Sequence, residues 1–558
     1  MIRAMPKASA RDTWLFWLVA LLVLGAGLGL RDPWPADEPR FALVARQMVE
    51  SGQWLFPMRG DALYPDKPPL FMWLQALAYE LSGNLRIAFL LPSLLASLGT
   101  LWCVVDLGTR LWTRRVGLYA GWALLFALQF TWQAKRAQID PLVTFFITLA
   151  NYGLLRHVLH GPDWRMWMLG WAAAGLGTIT KGVGILALLM LLPAGIAALR
   201  GWPVRQHARD LRWWLGPLAF LAACATWLVP MLLAVAAQGP EYHAYARDIL
   251  FRQTATRYAD AWHHEQPPWY FLEVMAVTWR PAMLALPWAI PAWCRRLRRR
   301  DPRYLLPLAW WGLVLLFFTL SSGKRDMYLL PALPMACLAL APLLPGIVRR
   351  PAARALAFAF GALLAGAFLA SGLAMLFADP GFEQALVERR GLSHGAGPLA
   401  MFFTAVGAWG LACLAWTGRR RAIAGLLAML AGTWVLFGLV GAPAWNDSAS
   451  SRGLMVEAGA AIGPSAELGL VGWREQQLLM ADRPAFTFGF AVPFASQLQR
   501  ALAWQAAAPG NRWLLVQEDA MAPCIDRDLA LRMRNANRRG WWLVPGHAAM
   551  ECEATGDR

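Results

Sequence analysis

The sequence predicts a polytopic α-helical membrane protein with about 13 transmembrane helices and a small C-terminal α/β domain, and three observations carry that prediction. Of the 558 residues, 58% are hydrophobic and only 15% charged, with a mean hydropathy of +0.40. Soluble domains average roughly 45–50% apolar and 25% charged residues, so an ordinary soluble enzyme and a disordered chain are both excluded. Apolar runs long enough to cross a ~30 Å hydrocarbon core recur along the first 441 residues. Arginine clusters then fall in every second connection between those runs, as the positive-inside rule requires of a multi-pass chain.

The predicted spans are 12–30, 85–107, 116–132, 141–157, 164–180, 182–199, 213–237, 271–293, 304–321, 327–346, 355–377, 397–417 and 422–441. Basic residues collect around Arg3–Lys7–Arg11, Arg110–Arg115, Arg156–Arg165, Arg200–Arg212, Arg295–Arg303, Arg349–Arg354 and Arg419–Arg421. These clusters hold 24 of the 52 Lys and Arg, and five acids accompany them (Asp12, Asp106, Asp163, Asp210, Asp301). The formal charge of +18 is therefore an orientation signal, and a nucleic-acid partner is not required to explain it. The N-terminus is expected in the cytoplasm and the chain after residue 441 outside. Leu15–Leu30 runs into Arg31 and Asp32 without a cleavage-site pattern, so it reads as a first span and not as a signal peptide.

The catalytic membrane unit is thus expected at 1–441, with structured external loops at 31–84 and 238–270 and an external α/β domain at 445–558. In the first loop, helices are expected from Asp37 through Met48 and over the short apolar stretch 68–79. In the tail, strand-like runs (468–473, 485–490, 513–516, 540–544) alternate with helical ones (452–462, 494–508). No catalytic constellation is evident there, and the tail reads as an acceptor-docking or regulatory module. Five cysteines lie in or at the ends of spans; Cys524 and Cys552 form either a disulfide or two free thiols.

Ionisable residues at span ends on one face are expensive to place there and are functional candidates for that reason. They form four groups, all external: Asp37-Glu38-Pro39-Arg40; Tyr64-Pro65-Asp66-Lys67-Pro68-Pro69; Asp140 with Lys135 and Arg136; and Lys181 together with Lys324-Arg325-Asp326-Met327-Tyr328. The chain has five lysines against 47 arginines, and Lys67, Lys135, Lys181 and Lys324 all lie in external connections. A compact ammonium suits a phosphate oxygen, whereas a lysine at an interface also snorkels for no functional reason. The 238–270 loop adds Arg257 and a His263-His264-Glu265 run, which reads as a metal site or as polar contacts in a wet cleft.

At these residues the sequence resembles the polyprenyl-phosphate-sugar-dependent glycosyltransferases of the protein O-mannosyltransferase and lipid A aminoarabinose transferase superfamily. The matching stretches are Asp37-Glu38-Pro39-Arg40-Phe41, Tyr64-Pro65-Asp66-Lys67-Pro68-Pro69, Asp140-Pro141, Thr180-Lys181-Gly182, the Arg257 to Tyr270 loop, and Ser322-Gly323-Lys324-Arg325 through Tyr328 to Pro331. The resemblance implies a GT-C fold and inverting transfer of a sugar, such as 4-amino-4-deoxy-L-arabinose, from undecaprenyl phosphate to lipid A, another envelope glycan or a protein. It implies no required cofactor. It implies Asp37 and Asp140 as catalytic carboxylates, and Lys67, Arg257, Lys181, Lys324 and Tyr328 on the donor phosphate. Glu38, Arg40, Tyr64 and Arg325 would contact substrate, and Asp66 with His264 would hold a non-catalytic divalent metal such as zinc. The chain departs from the aminoarabinose transferases in carrying Asp66 where they have Glu, and Pro39 within the Asp-Glu-Thr-Arg pattern.

Two other readings share parts of this pattern. A lipid-linked substrate transporter would place its charges at the bilayer midplane and show internal repeats, and here the charges gather at external span ends without a repeat. A glycan polymerase using a diphosphate donor would share the face but not the Asp66-Lys67-Pro68 match. The expected location is the bacterial inner membrane.

Overall fold

A computed structural model describes residues 9–202, 210–251, 266–377, 381 and 395–548. Among these residues, seven helices are long and apolar enough to cross a membrane: Leu85–Leu111, Ile139–His160, Leu211–Ala236, Pro302–Leu320, Pro351–Leu376, Gly397–Thr417 and Arg419–Ser450. The span predicted at 164–180 appears as the uninterrupted 18-residue helix Trp164–Lys181, and the other five fall on shorter or interrupted elements. Ala10–Gly25 has 16 residues and Arg114–Leu125 has 12. The 182–199 run opens as a 3₁₀ helix over Val183–Met190 before turning α-helical at Leu191–Leu199. Gly184 is packed against the backbone of Gly177 so closely that a Cβ there would overlap it at 2.1 Å. Within this stretch the Leu186 carbonyl also accepts from the indole of Trp310 at 2.9 Å.

The five acids at the arginine-rich end of the bundle have local tasks. Asp12 forms a capping box with Ser9, while Asp163, Asp210 and Asp301 each accept a hydrogen bond from a backbone N–H in the helical turn they precede. Side-chain oxygens are favoured there because the first turn of a helix has unpaired N–H groups and a partial positive charge. Asp106 accepts from the Tyr152 hydroxyl at 2.7 Å and pairs with Arg110.

At the opposite end, the first long connection folds into the helices Glu38–Ser51 and Leu70–Ser82, joined through a two-stranded hairpin of β1 (Met58–Arg59) and β2 (Ala62–Leu63). Pro39 sits in the first helical turn, where its missing N–H costs nothing, and Gly52 ends the helix at φ 71°. The C-terminal segment forms a mixed five-stranded sheet in the order β4-β3-β5-β7-β6, from β3 (Glu467–Val471), β4 (Ala485–Thr487), β5 (Arg512–Gln517), β6 (Leu531–Ala536) and β7 (Arg539–Val544). β3 runs parallel to β4 and β5, while β7 is antiparallel to β5 and β6. Helix Arg452–Ile462 leads into β3, Glu475–Met480 connects β3 to β4, and Phe494–Ala506 connects β4 to β5. Cys524 is disulfide-bonded; Cys552 lies outside the described residues.

One apolar core lies inside the helix bundle, around Phe16, Leu101, Phe126, Trp279 and Trp310. A second joins the first loop to the C-terminal sheet: Phe41, Met48, Tyr64 and Phe71 pack in one cluster with Leu468, Trp473, Trp541 and Leu543. Gly60, at φ +66° between β1 and β2, lets the hairpin lie on Trp473, whose ring a Cβ would meet at 2.9 Å. The sheet therefore rests on the loop that bears Asp37.

Candidate functional site

Four of the sequence-predicted groups converge at this end of the bundle. Asp37 precedes the Glu38–Ser51 helix and uses neither carboxylate oxygen to cap it. Its Oδ2 accepts a hydrogen bond from Gln138 Nε2 at 3.3 Å and lies 4.0 Å from an Arg325 nitrogen, while Oδ1 is 3.7 Å from Arg40. Two residues beyond Gln138, Asp140 enters the first turn of the Ile139–His160 helix and pairs with Lys181, which ends the Trp164–Lys181 helix. The Lys181 ammonium lies 5.0 Å from the centre of the Tyr328 ring, and Tyr328 follows Arg325 by three residues, which returns the path to Asp37. Asp37, Gln138–Asp140, Lys181 and Arg325–Tyr328 thus close a circuit from four distant parts of the chain. Asp140 is buried, whereas Asp37 keeps part of its carboxylate accessible.

The remaining cations have different surroundings. Lys324 is buried and donates to the Gln266 carbonyl at 3.0 Å, which ties the far end of the 238–270 loop to the site. Lys67 is half-buried beside Asp66, whose carboxylate is 3.9 Å from Arg59. Lys135 is turned inward onto the Ala26 carbonyl at 2.7 Å, and burial with the nearby Arg31 pushes its amine down to about 7. Arg257 and His264 lie outside the described residues. Among the described residues no group of three or more His, Cys, Asp or Glu is placed to hold a metal.

Two expected substrate contacts are corrected. Glu38 is fully buried: Arg31 grips both its oxygens at 2.5 and 2.8 Å, and the backbone N–H groups of Trp34 and Ala137 donate to it at 2.8 and 3.0 Å. Successive residues on a helix point about 100° apart, so Asp37 faces the site while Glu38 points into the scaffold. Tyr64 is also fully buried, beneath Arg59, with its hydroxyl close to Arg40. Burial pushes that hydroxyl far above the ordinary phenol range despite the arginine beside it. Both residues hold the site's backbone and neighbours and do not present a surface to substrate.

The structure also adds members that the sequence did not single out. Gln138 is one. Glu475, from the C-terminal segment, accepts from Arg40 Nε at 3.1 Å and so fixes the arginine beside Asp37. Burial of the Arg40 guanidinium is outweighed by Tyr64, Glu475 and Asp37 around it, which hold it firmly charged. Asp32 takes paired hydrogen bonds from Arg86 (2.7 and 3.1 Å) and from Arg452 (2.6 and 2.7 Å), and another from Asn446 at 2.7 Å. An acidic residue directly after the first span is the signal for Asp32, while Glu475 carried none beyond following a strand.

Residues 66–229 match the family described as dolichyl-phosphate-mannose-protein mannosyltransferase. The undecaprenyl phosphate-alpha-4-amino-4-deoxy-L-arabinose arabinosyl transferase of Pectobacterium carotovorum subsp. carotovorum is 31% identical over 386 residues, covering 66% of this chain and 66% of that protein. The chain belongs to the superfamily that unites these mannosyl- and aminoarabinosyl-transferases. The transferase of the same description from Pseudomonas savastanoi is 30% identical over 333 residues, covering 59% of this chain and 60% of that one. The chain thus aligns with 60–66% of the length of these relatives. Among solved structures, ArnT from Cupriavidus metallidurans bound to undecaprenyl phosphate superposes with a TM-score of 0.73 at 20% identity, over 98% of this chain and 100% of that one. Its apo form gives 0.70 with the same coverage. The fold is therefore GT-C, and the protein is a multi-pass membrane protein.

Proposed function

We propose that the protein is an inverting glycosyltransferase that moves 4-amino-4-deoxy-L-arabinose from an undecaprenyl-phosphate donor to lipid A on the periplasmic face of the inner membrane. The observation that carries this reading is the circuit of Asp37, Asp140, Lys181, Arg325 and Tyr328 within a chain related to transferases of that description. An acceptor oxygen attacks the anomeric carbon from the face opposite the phosphate; the C–O bond to undecaprenyl phosphate breaks, and its electron pair leaves on the phosphate. Lys67, Lys181 and Tyr328 are suited to stabilise that departing charge, as preorganised donors do where charge develops. Arg257 joins them in this reading, and Lys324 supports them by anchoring the loop that carries it.

Asp37 is the group available to orient the acceptor and stabilise positive charge on the sugar ring. A hydroxyl acceptor would also give it a proton, whereas a lipid A phosphate is already anionic. Asp140 positions Lys181 through their ion pair. No cofactor takes part in the reaction as read here. Asp66 lies 3.9 Å from Arg59, which competes with any metal for its carboxylate.

The same reading carries thirteen crossings, a cytoplasmic N-terminus and a periplasmic α/β domain at 445–558. The alternating arginines support it, as do the acids capping helices at the arginine-rich end. The match of residues 66–229 to protein mannosyltransferases makes a protein acceptor the second reading. Mass spectrometry of envelope lipids and glycoproteins from cells with and without the protein tests both. Loss of aminoarabinose from lipid A is expected; an unchanged lipid A with a lost glycoprotein sugar would move the assignment to the second reading, and identical spectra would end both.

A further inference from the structure

At the seam between the first loop and the C-terminal sheet, arginines from both sides gather around one aromatic ring. Arg59, from β1, lies over the Phe490 ring at 3.9 Å, and Arg474 lies over the same ring at 5.5 Å. Phe490 and Arg474 belong to the C-terminal segment, so one aromatic ring seats two guanidinium groups from opposite sides of the seam. Arg539, at the start of β7, is within electrostatic reach of Arg474 and is held by a hydrogen bond to Gln517 at 2.8 Å. The acids within 4 Å of Arg59 are Glu475, already bonded to Arg40, and Asp66, each at 3.9 Å; on the Arg539 side Glu518 lies against Gly540, and Asp519 accepts from Gln517, the residue that holds Arg539. Glu475 is the carboxylate that acts on Arg474, and it is shared with Arg40 and Arg59. Burial, and after it the neighbouring Arg539, Arg59 and Arg40, pull its guanidinium below the usual range despite Glu475. Arg59 Nε is buried with no hydrogen-bond partner. Half-buried like charges that are left under-neutralised are costly unless an anion joins them.

We infer that Arg59, Arg474 and Arg539 form a binding site for a phosphate monoester on the acceptor, separate from the donor phosphate. The inference rests on the glycosyltransferase reading above and deepens it. Arg40 spans the interval between the two sites, touching Asp37 on one side and Glu475 on the other. An acceptor held by a phosphate at the seam would present its reacting oxygen near Asp37. Planar guanidinium groups match phosphate oxygens with paired hydrogen bonds, which accounts for three arginines where a single point charge would be less selective. The C-terminal segment then supplies acceptor recognition, and the membrane bundle supplies the donor site.

The test uses the full chain, purified and reconstituted with undecaprenyl-phosphate-linked aminoarabinose, and two acceptors: lipid A with both phosphates and lipid A with one. The wild type should show the lower KM for the bis-phosphorylated acceptor. Arg474→Gln and Arg539→Gln should each raise that KM by about tenfold, the loss typical of one charge-assisted contact, and leave the donor KM unchanged. Arg474→Lys should recover part of the loss, which a merely structural role would not predict. Native mass spectrometry of the wild type with each acceptor reports binding without turnover and needs no variant to fold. Equal binding of the two acceptors, or a change confined to donor KM, would overturn the inference. Preferential binding of the bis-phosphorylated acceptor without any sugar transfer would sustain the seam site and sink the glycosyltransferase reading.

Discussion

Two charged regions lie side by side on the same end of the molecule and are built in opposite ways. Around Asp32 and Glu38 every carboxylate oxygen is matched: Arg86 and Arg452 reach Asp32 at 2.6–3.1 Å, and Arg31 with two backbone N–H groups surrounds Glu38. Around Asp37 the contacts stand at 3.3–4.0 Å, and the carboxylate keeps some exposure. Saturated carboxylates hold segments together; an unsaturated one beside fixed cations is available to a reacting group. The first region staples residues 31–38 to the C-terminal segment through Asn446 and Arg452, and this fixes the backbone from which Asp37 projects.

Exchanging a residue in each region should break the contrast in a different currency. The largest effect is expected from Asp37→Asn, which should lower transfer by about 10²–10⁴-fold while the melting temperature stays near that of the wild type; near-normal turnover would remove Asp37 from the chemistry. Asp32→Ala should act on stability. Breaking a buried, bonded ion pair costs about 3–5 kcal/mol, and the half-exposed arginines left behind place this variant near the lower figure, readable as a fall in melting temperature. Asp32 also gives a pH signature. Arginine and Asn446 hydrogen bonds outweigh burial and hold its carboxyl at about 2 against an ordinary 3.8. Its stabilisation is therefore complete above the ordinary value and disappears as pH falls through about 2, amounting to about 2 kcal/mol. Thermal unfolding across that range should slope in the wild type and flatten in Asp32→Asn; parallel curves would contradict the assignment.

Smaller effects sharpen the same contrast. Lys67→Ala should weaken donor binding by about tenfold without changing acceptor KM, and unchanged donor affinity would take Lys67 out of the phosphate site. Glu50→Gln removes an exposed pair with Arg46, one helical turn away, and should cost no more than about 0.5 kcal/mol. A larger loss there would mean that surface pairs at this end do more than the scaffold account allows.

Much of this was legible before any coordinates. Asp37, Asp140, Lys181, Arg325 and Tyr328 all stand out as polar residues at the ends of apolar runs, and the structure joins them in one circuit. The helix expected to run from Asp37 through Met48 appears as Glu38–Ser51, because a proline in the first turn and a glycine at the end leave little freedom. What the sequence hid depends on partners far along the chain. The sequence suggests a substrate contact for Glu38 beside the catalytic Asp37, because adjacency says nothing of which way each points. Asp32 gains its role from Asn446 and Arg452, over 400 residues away. β6 was missed because Arg532 and Arg534 alternate with Leu531 and Met533 on an edge strand, a pattern that charge makes resemble a loop. Nothing in the composition of Val183–Met190 distinguishes it from ordinary helix, because the fit of Gly184 against Gly177 is set by packing.

On the proposed reading, this face transfers a sugar from a lipid-linked monophosphate with Asp37 at the reacting centre. Purified, reconstituted protein given undecaprenyl-phosphate-linked aminoarabinose and lipid A tests it in one assay, with the lipid products read by mass spectrometry. The account predicts aminoarabinose on lipid A and free undecaprenyl phosphate with the wild type, and neither with Asp37→Asn. No product from folded wild type, or equal product from both proteins, would contradict it.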